Sequence, residues 1–239
     1  MRHKSQNHRW MVGLAFLVLS CPPIALAGIH TGQNAWLGRE RGFIDPTAGT
    51  AQVAGYFLFI EGVPEPLFTG NPSETTALFT FRSDTFSLTP VANGPDLSAT
   101  LFTPGTFTVY FNGPPASPAG NFANLDSFSS GKAIATFQRS TGMITGVAGS
   151  TGAPTFSAEL VSGQDFVFPG KTVNFANLVP NGVTVLITTS PNFVGGAGEF
   201  LIAQPFTFSA IAIGGNQTRI ASERSACVRL SQKMLVGKT

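Results

Sequence analysis

Hydrophobic and polar residues alternate with a period of two over much of this chain. In the clearest run, 105–111, Phe107, Val109 and Phe111 fall on one side and Tyr110 falls on the other. Because successive side chains of a β-strand point to opposite faces, such a run builds a sheet with one buried face. The same alternation, with many β-branched and aromatic residues, predicts further strands at 52–60, 76–82, 84–89, 97–102, 133–138, 143–148, 155–161, 183–189, 198–203 and 205–213.

Turn-forming residues separate these runs at short intervals, for example Asn93-Gly94-Pro95-Asp96 and Pro180-Asn181-Gly182. About eleven short strands with regular turns predict an all-β antiparallel fold. We expect a jelly-roll-like β-sandwich of about 10–12 short strands, with a closed β-barrel as the alternative. No segment with a helical period interrupts the strands before residue 216, which argues against a parallel sheet with crossover helices.

One pentapeptide occurs twice in the chain. Asn-Phe-Ala-Asn-Leu is found at 121–125 and again at 174–178, and each copy is followed by a glycine-containing turn and a predicted strand. The repetition predicts related positions in two halves of the fold. The alternative is coincidence in a chain rich in these residues, and five positions are far too few for a solenoid repeat.

Residues 1–27 have the three parts of a cleavable signal peptide. Basic residues come first, an apolar stretch follows at 11–19, and Ala25-Leu26-Ala27 has the small-x-small pattern of a cleavage site. We therefore expect cleavage between Ala27 and Gly28, and a secreted, periplasmic or extracellular protein. The apolar stretch is shorter than the about 20 residues that span a bilayer, so we expect no integral membrane anchor. Lipidation of Cys21 is a less favoured alternative.

The chain after the signal peptide divides into two parts. We predict a single all-β domain at 28–215, followed by a basic tail or short helix at 216–239. The helix is suggested because Ile220, Cys227, Leu230 and others fall near one helical face.

Composition and charge argue against two classes of protein. Charged residues make up only 11% of the chain, and its 22 Phe residues exclude intrinsic disorder, which requires low hydrophobicity. Between residues 28 and 218, six basic residues stand against eleven acidic ones, and no basic run is present. This balance argues against nucleic acid as a partner.

The usual catalytic and metal-binding residues are scarce. After the predicted cleavage the only histidine is His30 and the only cysteine is Cys227, which are too few for a triad or a zinc site. No Gly-x-Ser-x-Gly elbow or Asp-x-Asp-x-Asp calcium loop is found. We therefore predict no catalytic residues, no metal and no cofactor.

Four residues are weak candidates for ligand binding. Trp36 and Tyr110 offer aromatic surfaces, while Glu61 and Glu65 flank a Gly-Val-Pro segment. The pattern as a whole favours an exported, non-catalytic structural or binding module whose ligand or surface partner is unknown. The alternative is a closed β-barrel with an apolar lumen that binds a small ligand or acts as an enzyme.

Overall fold

The structure is a computed structural model, and it describes residues 29–94, 96–113, 120–146, 152–190 and 192–213. The predicted signal peptide with its Ala27–Gly28 cleavage site, Cys21 and the predicted C-terminal tail lie outside the described residues. The strands are β1 (Asn34–Asp45), β2 (Thr50–Ile60), β3 (Phe79–Ser83), β4 (Phe86–Asn93), β5 (Ser98–Phe102), β6 (Gly105–Phe111), β7 (Lys132–Arg139), β8 (Gly142–Gly146), β9 (Ala153–Gly163), β10 (Phe166–Val167), β11 (Thr172–Val173), β12 (Val183–Thr189), β13 (Val194–Gly195) and β14 (Ile202–Ala212).

Three pairs of strands continue each other across breaks of two residues. The breaks separate β3 from β4, β5 from β6, and β7 from β8. Hydrogen bonding continues through them, since the Asp84 N–H donates to the Thr106 carbonyl at 3.0 Å and the Thr103 N–H donates to the Ser87 carbonyl at 3.1 Å. Each pair therefore forms one long strand with a bend.

The long strands close into a barrel. With each bent pair counted once, eight strands follow one another around the wall in chain order: β1, β2, β3–β4, β5–β6, β7–β8, β9, β12 and β14. Antiparallel pairing of β14 with β1, from Asn34–Ile211 to Ile44–Ile202, completes the circuit. The all-β prediction is confirmed, and the architecture is the closed barrel that the sequence left as the alternative to a sandwich. Closure leaves the wall without an unpaired edge.

The period-two interpretation is confirmed for most of the predicted strands, but the strand predicted at 198–203 is wrong, because 198–201 forms a turn and bend and β14 begins at Ile202. On β14, Phe208, Ala210 and Ala212 are buried toward the lumen, while Thr207 between the inward positions is exposed. Strand β1 is the one long strand that was not predicted from the sequence. Its inward positions include Gly38, Glu40 and Gly42, so hydrophobic and polar residues do not alternate there as they do in a typical strand.

Aromatic side chains close one end of the barrel. The Trp36 ring makes edge-to-face contacts with Phe57, Phe137 and Phe175, at centroid distances of 5.9, 5.5 and 6.0 Å. Phe175 comes from helix α1 (Phe175–Leu178), which together with the β10–β11 hairpin and Ile29 covers this end. We call this end of the barrel the floor. Within the described residues, no helix has the length and apolarity needed to span a membrane.

The two copies of the repeated pentapeptide begin with the same turn and then differ, because Phe175–Leu178 forms an α-helix whereas Asn124 in the first copy is extended. The side chains of Asn121 and Asn174 each accept a hydrogen bond from the backbone N–H two residues further on, at 2.9 and 2.8 Å. The phenylalanine of each copy is buried, but Phe175 lies in the floor and Phe122 packs outside the wall against Phe43. A 3-10 helix, η1 (Leu125–Ser129), begins at the last residue of the first copy. The repetition therefore encodes a turn that is used on two sides of the wall.

Candidate functional site

The half of the lumen away from the floor contains a cavity. The space open to the centres of water-sized molecules is about 100 Å³, and side chains from all eight long strands line it. Its apolar lining consists largely of Phe57, Phe81, Phe86, Phe102, Phe156 and Phe206. At the end opposite the floor, the lining residues Ile44, Leu88 and Ile144 are only half-buried, so the cavity reaches the surface there. Eight-stranded barrels have an interior just wide enough to be filled by side chains or to hold one small ligand.

Glycines in β1 make room for the rings that shape this cavity. A Cβ atom at Gly38 would collide with the ring of Phe208, and one at Gly42 would collide with the ring of Phe206. The two glycines flank Glu40 on the inward side of the strand. Aromatic rings from β14 therefore cover the strand on either side of a single carboxyl group.

Glu40 is buried in the apolar lumen. Only 5% of the residue is exposed, and its Oε1 atom is buried without a hydrogen-bond partner among the described residues. Burial raises the pKa of this carboxyl from 4.5 to about 8, because a charge is costly where water is excluded, and the nearby Arg139 only partly offsets the effect. Glu40 is therefore mostly protonated at neutral pH.

Arg139 lines the same cavity and is 3% exposed. Its guanidinium carbon lies 4.1 Å from the centroid of the Phe86 ring, 5.3 Å from that of Phe102 and 5.9 Å from that of Phe156. Aromatic faces attract cations at such distances. Burial lowers the pKa of Arg139, and the charge of Asp84, joined by that of Glu40 when it is ionised, opposes that shift. An arginine side chain does not lose its proton at neutral pH, so Arg139 is a cation.

The bend in the wall determines how Arg139 is held. Its Nη2 donates to the Thr103 carbonyl at 3.3 Å and lies 3.9 Å from Asp84 Oδ1, and both partners belong to the two-residue breaks between strands. A Cβ atom at Gly105 would lie 2.9 Å from Nη2, so the missing side chain leaves room for the guanidinium. The Nε atom is buried and has no partner among the described residues.

The other buried polar side chains of the lining already have partners. Ser83 Oγ donates to the Asp84 carbonyl at 2.7 Å and accepts from the Val53 N–H at 2.9 Å. Gln204 Nε2 donates to the Ser190 carbonyl at 2.9 Å. Within the described part of the lining, unused hydrogen-bonding capacity is therefore concentrated on Glu40 and Arg139.

The structure brings one of the four predicted binding residues to the cavity. Trp36 lies at its deep end. Tyr110 is half-buried on the outer face of β6, and Glu61 and Glu65 lie in the segment after β2, so these three do not line the cavity. Their proposed binding role stays a prediction.

Sequence reasoning missed Glu40 and Arg139. Glu40 lies in β1, which was not predicted as a strand, and the predicted strand 133–138 ended one residue before Arg139. A signal was present for Arg139, because it continues the inward side of the alternation two residues after the buried Phe137. A charged residue in such a position indicates a buried charge.

Fold and site together define this protein as an eight-stranded up-and-down β-barrel with an apolar, one-ended cavity that contains a buried carboxyl and a buried guanidinium. No protein-family model matches the chain, and neither a curated protein nor a solved structure with significant similarity was found. The functional argument therefore rests on the barrel and its cavity.

Proposed function

We propose that this protein binds a small, largely apolar ligand inside the barrel. The observation that carries the proposal is the cavity itself, which combines Phe walls with two buried polar groups that retain unpaired atoms. Ligand sites of known proteins have this composition: mostly apolar surface with a few polar groups that orient the ligand.

The energetics favour an occupant with a polar end. A buried donor or acceptor that lacks a partner costs about 1–3 kcal/mol. Glu40 Oε1 and Arg139 Nε both lack one among the described residues. An ordered water needs two to four polar partners, and the phenylalanine rings that surround these two atoms add none. A ligand whose polar group reaches this pair and whose apolar part covers the rings satisfies both requirements.

Export belongs to the same proposal. The signal-peptide pattern of residues 1–27 supports a carrier that works outside the cytoplasm. The proposed function is therefore that of an exported binding protein that encloses its ligand. We favour this function over a structural or matrix role.

The test compares two neighbouring residues of β12 that face opposite sides of the wall. Ile187 is buried and lines the cavity, whereas Leu186 is 42% exposed on the outside. We expect the neutral fluorescent probe N-phenyl-1-naphthylamine to bind saturably to the wild-type protein and to Leu186→Phe. Ile187→Phe fills part of the cavity and should weaken binding roughly tenfold or more. Absence of saturable binding to the wild-type protein, or equal binding by both variants, would contradict the proposal.

A second candidate function is enzymatic, and Glu40 is the observation that favours it. A carboxyl with a pKa of about 8 in an apolar pocket is suited to proton transfer near neutral pH. The test is to compare small molecules extracted from the wild-type protein and from Glu40→Gln by chromatography and mass spectrometry. If the protein is an enzyme, the two extracts should contain different compounds, because Glu40→Gln should retain substrate that the wild-type protein converts. A pure binding protein should yield the same compound from both.

A further inference from the structure

The charges of the lining suggest which ligand the lumen accepts. Among the lining residues that the structure describes, Arg139 is the one cationic side chain and Glu40 the one carboxyl. Both are more than nine-tenths buried, and each has an atom without a partner there. The two residues lie on β7 and β1 of the barrel wall and line the same cavity.

The positive charge of Arg139 is only partly balanced. Asp84 is the nearest acidic partner, at 3.9 Å, and 43% of its side chain is exposed to solvent, which screens the attraction. One oxygen of Asp84 also accepts from the Thr106 N–H at 2.8 Å, so the negative charge of this carboxylate is shared between Arg139 and the backbone of β6. Glu40 contributes a neutral carboxyl at neutral pH, since burial raises its pKa. The lumen therefore retains positive charge.

We infer that the ligand is a small apolar monocarboxylic acid, bound as its anion, whose carboxylate lies between Arg139 and Glu40 while its apolar part lies against the phenylalanine rings. The inference rests on the proposed ligand-binding function and specifies the ligand class. A carboxylate accepts a charge-assisted hydrogen bond from Arg139 Nε and a second bond from the protonated carboxyl of Glu40. It thereby satisfies the donor and the acid that the protein leaves unpaired.

The depth of the pair limits the size of the ligand. Glu40 lies four residues from Ile44, at the open end of the cavity opposite the floor, which we call the rim. It also lies four residues from Trp36, at the floor. Four strand residues span about 13 Å, or about 10 Å along the axis of a barrel with tilted strands. The apolar part that reaches from the charged pair to the rim is therefore about 10 Å long, which matches a medium-chain acid.

The test measures binding of matched ligands by calorimetry. Carboxylates from hexanoate to dodecanoate are titrated into the full-length protein beside their methyl esters, which keep the apolar part and lose the charge. We expect the best carboxylate to bind roughly 10- to 100-fold more tightly than its ester, the range for a hydrogen bond to a charged group. Arg139→Gln should remove this preference, because the carboxylate should lose far more affinity than the ester. The control is Arg82→Gln, because Arg82 pairs with Asp126 and does not line the cavity.

The outcomes separate the two proposals. If esters and the neutral probe bind but no carboxylate is preferred, the ligand class is wrong and the binding function stands. If carboxylates are preferred equally by wild type and Arg139→Gln, Arg139 does not select them and the inference is overturned. If no carboxylate, ester or neutral probe binds, both proposals fail. The comparison of carboxylate with ester on the wild-type protein needs no variant, so it decides the ligand class even if Arg139→Gln fails to fold.

Discussion

The guanidinium of Arg139 stacks over the ring of Phe86, with its central carbon 4.1 Å from the ring centroid. Phe86 is the first residue after the break that separates β3 from β4, so its ring approaches the cation where the wall bends. The stack covers one face of the guanidinium, while the Thr103 carbonyl binds Nη2 and the buried Nε has no partner among the described residues. The bend thus holds the Arg139 cation inside an apolar barrel and leaves its Nε–H donor available to a ligand.

The first prediction concerns the pH dependence of stability. The folded state holds the Glu40 proton up to a pH of about 8, whereas an unfolded chain releases it near 4.5. Between these values the folded state binds more protons, so the free energy of unfolding falls as pH rises, by up to about 1.4 kcal/mol per pH unit. Denaturant unfolding at a series of pH values should show Glu40→Gln without this decline. The control is Glu159→Gln, at an exposed position, and a decline that survives in Glu40→Gln would contradict the prediction.

The second prediction concerns the coupling between the two buried groups. Arg139 lowers the pKa of Glu40, against the larger effect of burial. Its replacement in Arg139→Gln should therefore move the pKa of Glu40 above 8. Carboxyl-carbon NMR of the titrating glutamate measures this directly, with Glu40→Gln identifying the signal. Arg82→Gln should leave that signal unchanged, and a downward shift in Arg139→Gln would show that the two groups do not interact as described.

The third prediction concerns the glycines of β1. A Cβ atom at Gly38 would meet the Phe208 ring and lie 2.5 Å from the backbone oxygen of Tyr56, which cannot move without disturbing the strand. Gly38→Ala should therefore lower the free energy of unfolding by about 1–3 kcal/mol, the usual cost of overpacking. A matched substitution is Gly195→Ala, where a Cβ atom meets nothing within 4 Å. Equal stability of the two variants in urea would rule out the crowding argument.

The fourth prediction concerns the two copies of the pentapeptide. Asn121 and Asn174 each bond the backbone N–H two residues on, so Asn121→Ala and Asn174→Ala should each cost about 0.5–2 kcal/mol of unfolding free energy. Asn174 also donates to Asp165 at 2.7 Å, so its replacement should cost more. Asn121→Asp, which retains the acceptor oxygen, should recover part of the loss, whereas Asn174→Asp should recover less because its carboxylate would face that of Asp165. A change of no more than 0.2 kcal/mol in both alanine variants, roughly the experimental error, would contradict the shared role.

The regular strands were predictable because their signal is local. The strands 105–111 and 183–189 have the predicted bounds, since alternation along each one reports which side is buried. The missed strand β1 lacks that signal because inward glycines accommodate rings from β14, a contact between residues far apart in the chain. The strand that was hardest to predict is thus the one that carries Glu40.

The sequence by itself determined the all-β class, the inward faces of most strands and the turns between them. Only the tertiary structure decided that the sheet closes, because closure depends on the pairing of β1 with β14 at opposite ends of the described chain. It also decided that Glu40 and Arg139 line one cavity. Periodicity reports whether a residue faces the core, but strand order and register determine which other residues it meets there.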